Sequence, residues 1–132
     1  MKSRRLFLPF LAVALILVAT GVLAQEEDDV VVPGAPTNVR VSVVGTGGLQ
    51  IQWDPPEEDQ EAVTGYEIFR SHVPNGLYRK IVHVPRNVLS YRDDTIRPNL
   101  RYFYRVRTEA VYSFSDYSSP ACAEPSEHHN QK

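Results

Sequence analysis

The side chains that most often perform catalysis are few and scattered along this sequence. Its four histidines lie in predicted turns, in a predicted strand and in the tail: His72, His83, His128 and His129. None belongs to a Gly-x-Ser-x-Gly or His-Glu-x-x-His pattern. The glycine-rich run at residues 45–48 lacks the lysine and the following helix of a phosphate-binding loop, so we interpret it as a hairpin turn. We therefore predict a protein that is not an enzyme and uses no cofactor.

Carboxylates are concentrated in one loop, where calcium is the ion to consider. The loop contains Asp54, Glu57, Glu58, Asp59 and Glu61. These residues lack the ordered ligand spacing and central glycine of a calcium loop, so a solvated loop is predicted. Asp93 and Asp94 are adjacent, and adjacent strand residues point to opposite faces. His128-His129 would hold a divalent ion only weakly, and we predict no metal site.

The most informative pattern is the alternation of arginine and aromatic residues in the run from 101 to 108. A period of two places Tyr102, Tyr104 and Val106 toward a core and the residues between them on the opposite face. Glu67 and Phe69, on another predicted strand, share the outward parity, which favours contacts with arginine across strands. The candidate face contains Arg101, Phe103, Arg105, Arg107 and Phe69. Two interpretations stay open: a stacked ladder that stiffens the sheet, or a ligand surface rich in residues typical of binding hot spots.

Turn residues interrupt a period-two pattern at short intervals along the chain, which predicts an all-β fold. The predicted strands lie at residues 39–43, 49–53, 65–70, 78–84, 89–91, 102–108 and 112–119. No segment has a helical period long enough to compete. We predict a seven-stranded antiparallel two-sheet sandwich, immunoglobulin-like, at residues 36–123. A flexible acidic lead-in at 25–35 precedes it and a disordered tail at 124–132 follows it.

Residues 1–24 are typical of an export signal. A basic start at residues 2–5 precedes an apolar run at 6–24, and small residues at its end predict cleavage before Gln25. The alternative is an uncleaved membrane anchor, since a run of this length can just span a bilayer. Pro9 and the acidic residues after the run favour cleavage. We predict a secreted or cell-envelope protein that contacts membrane only in the anchored form.

Cleavage would also change the charge of the protein. The whole chain has 14 basic and 16 acidic residues, and loss of Lys2, Arg4 and Arg5 leaves 11 against 16, a net charge of −5. An acidic product is not expected to bind nucleic acid.

Cys122 is the only cysteine, so the chain forms neither an internal disulfide nor a multi-cysteine metal site. Its thiol either joins two chains or lies partly buried and inert. In the second case we expect a monomer.

Six landmarks in residues 36–123 resemble those of a fibronectin type III module. They are Pro36-Thr37-Asn38-Val39, Trp53-Asp54-Pro55-Pro56, Gly65-Tyr66-Glu67-Ile68, Ile96-Arg97-Pro98, Tyr104-Arg105-Val106-Arg107 and Tyr117-Ser118-Ser119-Pro120. The resemblance implies that Tyr102 is a tyrosine corner, whose hydroxyl bonds to backbone near residues 96–98. The core implied by the pattern and the resemblance together is Trp53, Tyr66, Tyr102, Tyr104 and Val106.

A further run resembles the Trp-Ser-x-Trp-Ser box of cytokine receptors: Phe114-Ser115-Asp116-Tyr117-Ser118, with both tryptophans replaced. In that box, aromatic rings interleave with arginines of the strand that corresponds to residues 102–108. The resemblance therefore adds Phe114 and Tyr117 to the candidate face.

The sequence is most similar to bacterial extracellular versions of the module, which accompany secreted carbohydrate-active enzymes or surface proteins. This implies an exported, non-catalytic binding or accessory module with an unidentified protein or glycan partner. Its binding surface would be the candidate face or the loops at residues 54–64, 72–77 and 110–115. The alternative is a structural element of the cell envelope, anchored by an uncleaved N-terminal helix or linked through Cys122.

Overall fold

Seven β-strands in two antiparallel sheets make up the part of the chain that the computed structural model describes, residues 29–125. The strands are β1 (Thr37–Val44), β2 (Gly48–Asp54), β3 (Gly65–Ser71), β4 (Arg79–Pro85), β5 (Ser90–Asp93), β6 (Tyr102–Glu109) and β7 (Ala121–Ala123). A 3-10 turn, Gln60–Ala62, lies in the loop between β2 and β3. The predicted immunoglobulin-like sandwich is confirmed.

The first sheet has the strand order β1–β2–β5. Leu49, Ile51 and Trp53 of β2 are buried because they share one face of the strand, and the glutamines between them are half-buried. The hairpin turn between β1 and β2 needs glycine, since φ is 59° at Gly45 and 148° at Gly47.

The second sheet has the strand order β4–β3–β6–β7. The side chains of β6 alternate strictly between buried and half-buried positions, whereas β3 is buried on both faces over most of its length. Gly65 begins β3 at a crowded point. A Cβ atom there would lie 2.6 Å from the Val84 carbonyl oxygen, so glycine is required where β3 passes β4.

The core between the sheets contains all five side chains named from the sequence. Trp53, Tyr66, Tyr102, Tyr104 and Val106 are each at most 2% exposed. The rings of Trp53 and Tyr66 pack with centroids 5.5 Å apart. The Tyr102 hydroxyl accepts a hydrogen bond of 2.8 Å from the Arg97 backbone N–H, which is the tyrosine corner that the resemblance implies.

The prediction of a last strand at residues 112–119 is wrong, since the last strand is β7 at Ala121–Ala123. Residues 114–118 do run beside β6, but they bond to it only at Ser115 and Ser118, three residues apart. A strand bonds to one neighbour at every second residue, so this spacing does not form a ladder.

The lead-in and the start of the tail pack more closely than predicted. Pro33 is buried, and the Val31 carbonyl oxygen accepts a hydrogen bond of 2.5 Å from the Ser113 hydroxyl. Pro125 is also buried, and its carbonyl oxygen accepts one of 2.7 Å from the Asn99 N–H. The ordered module therefore extends at both ends beyond residues 36–123.

The predicted export signal at residues 1–24 and the tail from 126 to 132 lie outside the described residues. No helix among residues 29–125 has the length and hydropathy needed to cross a bilayer.

A turn at residues 73–76 lies in the hairpin that joins β3 to β4. The residues with positive φ do not include Asn75 or Gly76. A Cβ atom on Gly76 would instead lie 2.0 Å from Val73 Cγ2, and the Gly76 N–H donates to the Val73 carbonyl oxygen at 3.3 Å. A side chain at residue 76 would therefore have to displace the side chain of Val73.

The arginine–aromatic face of the second sheet

The outward side chains of β3 and β6 form a stack centred on Arg107. Its guanidinium carbon lies 4.0 Å from the ring centroid of Phe114, 5.2 Å from that of Phe69 and 5.4 Å from that of Tyr117. Phe69 and Tyr117 meet edge to face with centroids 5.0 Å apart. A cation held between aromatic faces is attracted by their quadrupoles. The interleaving implied by the resemblance is therefore present around Arg107.

Glu67 anchors the stack from the central strand. Its Oε2 accepts a hydrogen bond of 2.7 Å from Arg107 Nε and lies 2.6 Å from Arg107 Nη2 in the ion pair, and its Oε1 accepts a hydrogen bond of 3.0 Å from Lys80 Nζ. The Glu67 side chain is only 6% exposed. Burial by itself would raise the pKa of Glu67, but the hydrogen bonds and charges of Lys80 and Arg107 outweigh it and hold the pKa below its ordinary value. The carboxylate is thus ionised, and both of its oxygens accept hydrogen bonds from cationic side chains.

Two rings of the stack are open to a partner. Phe114 and Tyr117 are each 43% exposed, whereas Phe69 is 8% exposed. The Arg107 side chain, 24% exposed, lies between them with its charge balanced by Glu67. This half of the face offers aromatic surface without free charge.

Arg105, two residues earlier on β6, has a different environment. Its guanidinium carbon lies 4.9 Å from the ring centroid of Tyr78. Among residues 29–125, no carboxylate comes within ion-pair distance of Arg105, and its buried Nε has no hydrogen-bond partner. This half of the face carries an unbalanced positive charge.

The other two candidates on this strand differ again. Phe103 is half-buried and pairs in register with Ser71 and Cys122. Arg101 precedes β6 and forms an exposed ion pair of 3.4 Å with Glu124. Arg101 is therefore outside the stack, although it shares the parity of Arg105 and Arg107.

The segment at residues 114–118 is held against β6 by two serines acting in the same way. The Ser115 N–H donates to the Thr108 carbonyl oxygen at 2.9 Å, and the Ser115 hydroxyl accepts from the Thr108 N–H at 2.8 Å. Ser118 makes the same pair of bonds with Val106, at 2.9 and 3.0 Å. Each serine thus satisfies both backbone groups of one β6 residue. The three-residue repeat brings Phe114 and Tyr117 to the same side, where they flank Arg107.

A second ion pair, which the sequence analysis missed, lies between the sheets. The Asp93 carboxylate on β5 is 1% exposed and accepts hydrogen bonds of 2.8 Å from both Arg70 Nη1 and the Tyr104 hydroxyl. The Thr95 N–H and hydroxyl donate to its other oxygen at 3.0 and 2.7 Å. Burial alone would raise the pKa of Asp93, but these hydrogen bonds outweigh it and lower the pKa. The signal was present: Arg70 shares the inward parity of Tyr66 and Ile68.

The same network alters the tyrosine. Burial raises the pKa of Tyr104 well above its ordinary value, and the neighbouring Asp93 carboxylate raises it further. The Tyr104 hydroxyl is therefore a fixed donor in the sandwich and not a titrating group.

The predicted binding loops divide between the two ends of the sandwich. Loops 54–64 and 110–115 meet at one end, where the Thr64 N–H donates to the Glu109 carbonyl oxygen at 2.8 Å. Tyr112, 86% exposed, and Val111, 68% exposed, extend there. Loop 72–77 lies at the opposite end, with the His72 ring against Tyr102.

The remaining chemical candidates stay dispersed. His83 contacts Glu109 through Nε2 and Oε2, across the point where Gly65 has no side chain. Among residues 29–125, no three His, Cys, Asp or Glu side chains are grouped so as to hold a metal ion. Cys122 is exposed on β7.

Comparison with solved structures identifies the same fold elsewhere. Domains A168–A170 of titin match 73% of this chain and 33% of their own, with a TM-score of 0.64 and 21% sequence identity. A fibronectin type III-like protein from Clostridium thermocellum matches 74% of this chain and 98% of its own, with a TM-score of 0.62 and 19% identity.

Sequence comparison adds relatives in larger proteins. Amylopullulanases of Thermoanaerobacterium saccharolyticum and Thermoanaerobacterium thermosulfurigenes are 32% and 31% identical over 66% and 80% of this chain. The cell adhesion molecule Dscam1 of Drosophila melanogaster is 26% identical over 78% of it. The chain spans only 5–6% of the length of these relatives. The matching part is thus a small fraction of each amylopullulanase.

The family model for the fibronectin type III domain matches residues 34–124, which cover both sheets, the tyrosine corner and the arginine–aromatic face. This domain type is non-catalytic. The chain belongs to the fibronectin type III family.

Proposed function

We propose that this protein is an exported accessory module that binds a glycan or protein partner through the outer face of its second sheet. The observation that carries the proposal is the pair of open rings, Phe114 and Tyr117, each 43% exposed. Arg107 holds both rings in place, and the buried Glu67 carboxylate holds Arg107. Rings fixed before binding lose little conformational entropy when a partner covers them.

The unbalanced Arg105 charge supports the same surface. An arginine without a carboxylate partner can donate to hydroxyl, carbonyl or carboxylate groups of a ligand. Arginine and tyrosine are also the residue types that most often dominate binding energy at interfaces. Tyr78 and Phe103 flank Arg105 and extend the aromatic surface.

Two observations support export and a glycan partner. The N-terminal basic and apolar segments are typical of a secretory signal. The amylopullulanase relatives carry a similar module in enzymes named for pullulan. We therefore take pullulan as the first ligand to test.

The test is affinity electrophoresis of the protein through native gels that contain pullulan, compared with gels that contain none. We expect pullulan to retard the wild type, and the double variant Phe114→Ala/Tyr117→Ala to migrate freely. Tyr112→Ala is the matched control, because Tyr112 is an exposed ring outside the stack. Thermal unfolding of each variant separates lost binding from lost folding.

A protein partner is tested in parallel by capture from the producing cells' medium and envelope. The expected result is a species captured by wild type and by Tyr112→Ala but not by the double variant. If neither pullulan nor any captured protein depends on Phe114 and Tyr117, this surface is not the binding site and the proposal fails.

The exposed thiol of Cys122 favours a second candidate, a structural element of the cell envelope linked through this residue. In that case the exported protein would run as a dimer or larger species on a non-reducing gel and as a monomer after reduction. A monomer under both conditions would remove this candidate. N-terminal sequencing that starts at Gln25 would remove its membrane-anchored form.

A further inference from the structure

A cleft of about 430 Å³ opens beside the hairpin that joins β3 and β4, away from the arginine–aromatic face. Its lining combines three basic side chains, three apolar ones and a serine: Arg70, His72 and Arg79 with Val73, Leu77, Ile81 and Ser71. No carboxylate is among the lining residues. The volume falls within the range of roughly 300–1,000 Å³ that is usual for small-molecule sites.

Arg70 is held in one orientation at the base of this cleft. Its Nη1 atom donates to Asp93 and to the Thr95 hydroxyl, each at 2.8 Å, and its guanidinium carbon lies 5.4 Å from the Tyr102 ring centroid. Within residues 29–125, its Nε and Nη2 atoms donate to no protein group. One edge of the guanidinium is thus anchored, and the other remains available to a ligand.

The charge of the cleft is positive. Asp93 balances Arg70, but Arg79 has no ion-pair partner within residues 29–125. Arg79 is exposed at the start of β4. A ligand in the cleft would therefore meet one oriented guanidinium and one unbalanced charge.

The apolar wall lies beside the hairpin turn. Val73 packs closely against Gly76, since a Cβ atom there would lie 2.0 Å from Val73 Cγ2, and Ile81 is half-buried on β4. Leu77, 88% exposed, forms the rim. The cleft thus offers a surface for a nonpolar group next to donors for an anion.

We propose that this cleft binds a small organic oxyanion, a carboxylate or phosphate group attached to a compact apolar body. The planar edge of a guanidinium matches two oxygens of such a group and forms charge-assisted hydrogen bonds with them. Val73, Leu77 and Ile81 cover the apolar body, which would gain from leaving water. The site shares none of its seven lining residues with the proposed partner-binding face, so either proposal can fail alone.

The experiment is an NMR titration of the ¹⁵N-labelled protein with phenyl phosphate, benzoate, benzyl alcohol and inorganic phosphate. Saturable shifts of the amides at residues 70–73 and 77–81 are expected with phenyl phosphate or benzoate. Benzyl alcohol lacks the anion and inorganic phosphate lacks the ring, so both should bind at least several-fold more weakly. No saturable shift with either aromatic anion would overturn the proposal, as would equal binding of benzyl alcohol.

Two arginine variants separate a site from general charge attraction. Arg79→Ala should raise the Kd of the better aromatic anion roughly tenfold, about the value of one charge-assisted hydrogen bond. Arg86→Ala is the matched control, since Arg86 is exposed just beyond β4 and does not line the cleft. Its Kd should stay within about twofold of wild type. An unchanged Kd in Arg79→Ala, or an equal rise in both variants, would overturn the proposal.

Discussion

Two arginine–carboxylate pairs with buried carboxylates, both within residues 29–125, use the same chemistry in different places. Arg107–Glu67 lies on the outer face of one sheet, and Arg70–Asp93 lies between the two sheets. The arginine side chains are almost equally exposed, at 24% and 23%, and the carboxylates at 6% and 1%. The two pairs differ in which other groups donate hydrogen bonds to the carboxylate.

Glu67 is bonded only to cations, Arg107 and Lys80, and both can turn toward solvent if the carboxylate is lost. Asp93 also satisfies the Tyr104 hydroxyl and the Thr95 N–H, and Tyr104 is wholly buried. Water can replace the first carboxylate more readily than the second. We infer that Asp93 stabilises the packing of the two sheets, whereas Glu67 mainly orients the side chains of the arginine–aromatic face.

The largest expected effect follows from Asp93→Asn. The amide replaces a charged acceptor with a neutral group that also carries donors, so it opposes Arg70 and Tyr104. The free energy of unfolding should fall by about 3 kcal/mol, as when one partner of a buried ion pair is removed. Urea unfolding measures this free energy.

Asp94→Asn is the control, because the exposed Asp94–Arg92 pair should contribute less than about 1 kcal/mol to the free energy of unfolding. An equal loss of stability in both variants would contradict the comparison.

Glu67→Gln should cost less, about 1–2 kcal/mol, because Arg107 and Lys80 regain water when the charge is lost. The change should instead appear in the face itself, as altered NMR signals of the Phe114 and Tyr117 rings. Glu57→Gln, in the exposed loop after β2, serves as control and should change neither quantity. A loss from Glu67→Gln as large as that from Asp93→Asn would show that the two pairs are equivalent.

A smaller effect is expected on the stability of the protein at acid pH. The pKa values of Asp93 and Glu67 are both lowered, from ordinary values of 3.8 and 4.5. As pH falls, the unfolded chain therefore takes up protons at these two carboxylates before the folded protein does. The contribution of Asp93 and Glu67 to the free energy of unfolding is complete above the ordinary pKa values and is lost as pH falls through the lower native pKa values. Urea midpoints between about pH 5 and 2 should fall less steeply in Asp93→Asn than in wild type. An identical slope would show that Asp93 titrates alike in both states.

The smallest effect is expected for Arg105→Ala, because this arginine has an aromatic contact but no carboxylate. Loss of the cation–π contact with Tyr78 should cost about 0.5–1 kcal/mol. A double-mutant cycle with Tyr78→Leu isolates that contact. If Arg105→Ala lowered the free energy of unfolding more than Glu67→Gln does, Arg105 would have a partner outside residues 29–125.

The alternation of side chains was enough to predict the sandwich and its core. Trp53 on β2 and Tyr104 on β6 follow the period of two and are buried as that period requires. The same rule placed Arg107 and Glu67 on the same outward face, and the strand register then sets them opposite each other. It could not show that Arg105 lacks a carboxylate or that Arg101 pairs with Glu124, because those outcomes depend on side chains beyond the neighbouring strand.

Two features escaped the sequence analysis for physical reasons. Asp93 was judged against its neighbour Asp94, when its partner is Arg70 on the other sheet, 23 residues away. Residues 112–119 were expected to form the last strand of the period-two pattern. The bonds of two serines to β6 take the place of a strand ladder there. A pattern of apolar residues does not show such side-chain bonds, so it could not predict this arrangement.

Those two serines also determine what the second sheet exposes along part of its edge. β7 pairs only with residues 102–104 of β6, so the following residues of β6 would present free N–H groups at a sheet edge. An unpaired edge is a template on which another chain can add a strand. Because Ser115 and Ser118 already occupy the N–H groups of Thr108 and Val106, a strand of another chain would find neither group free along this stretch of β6.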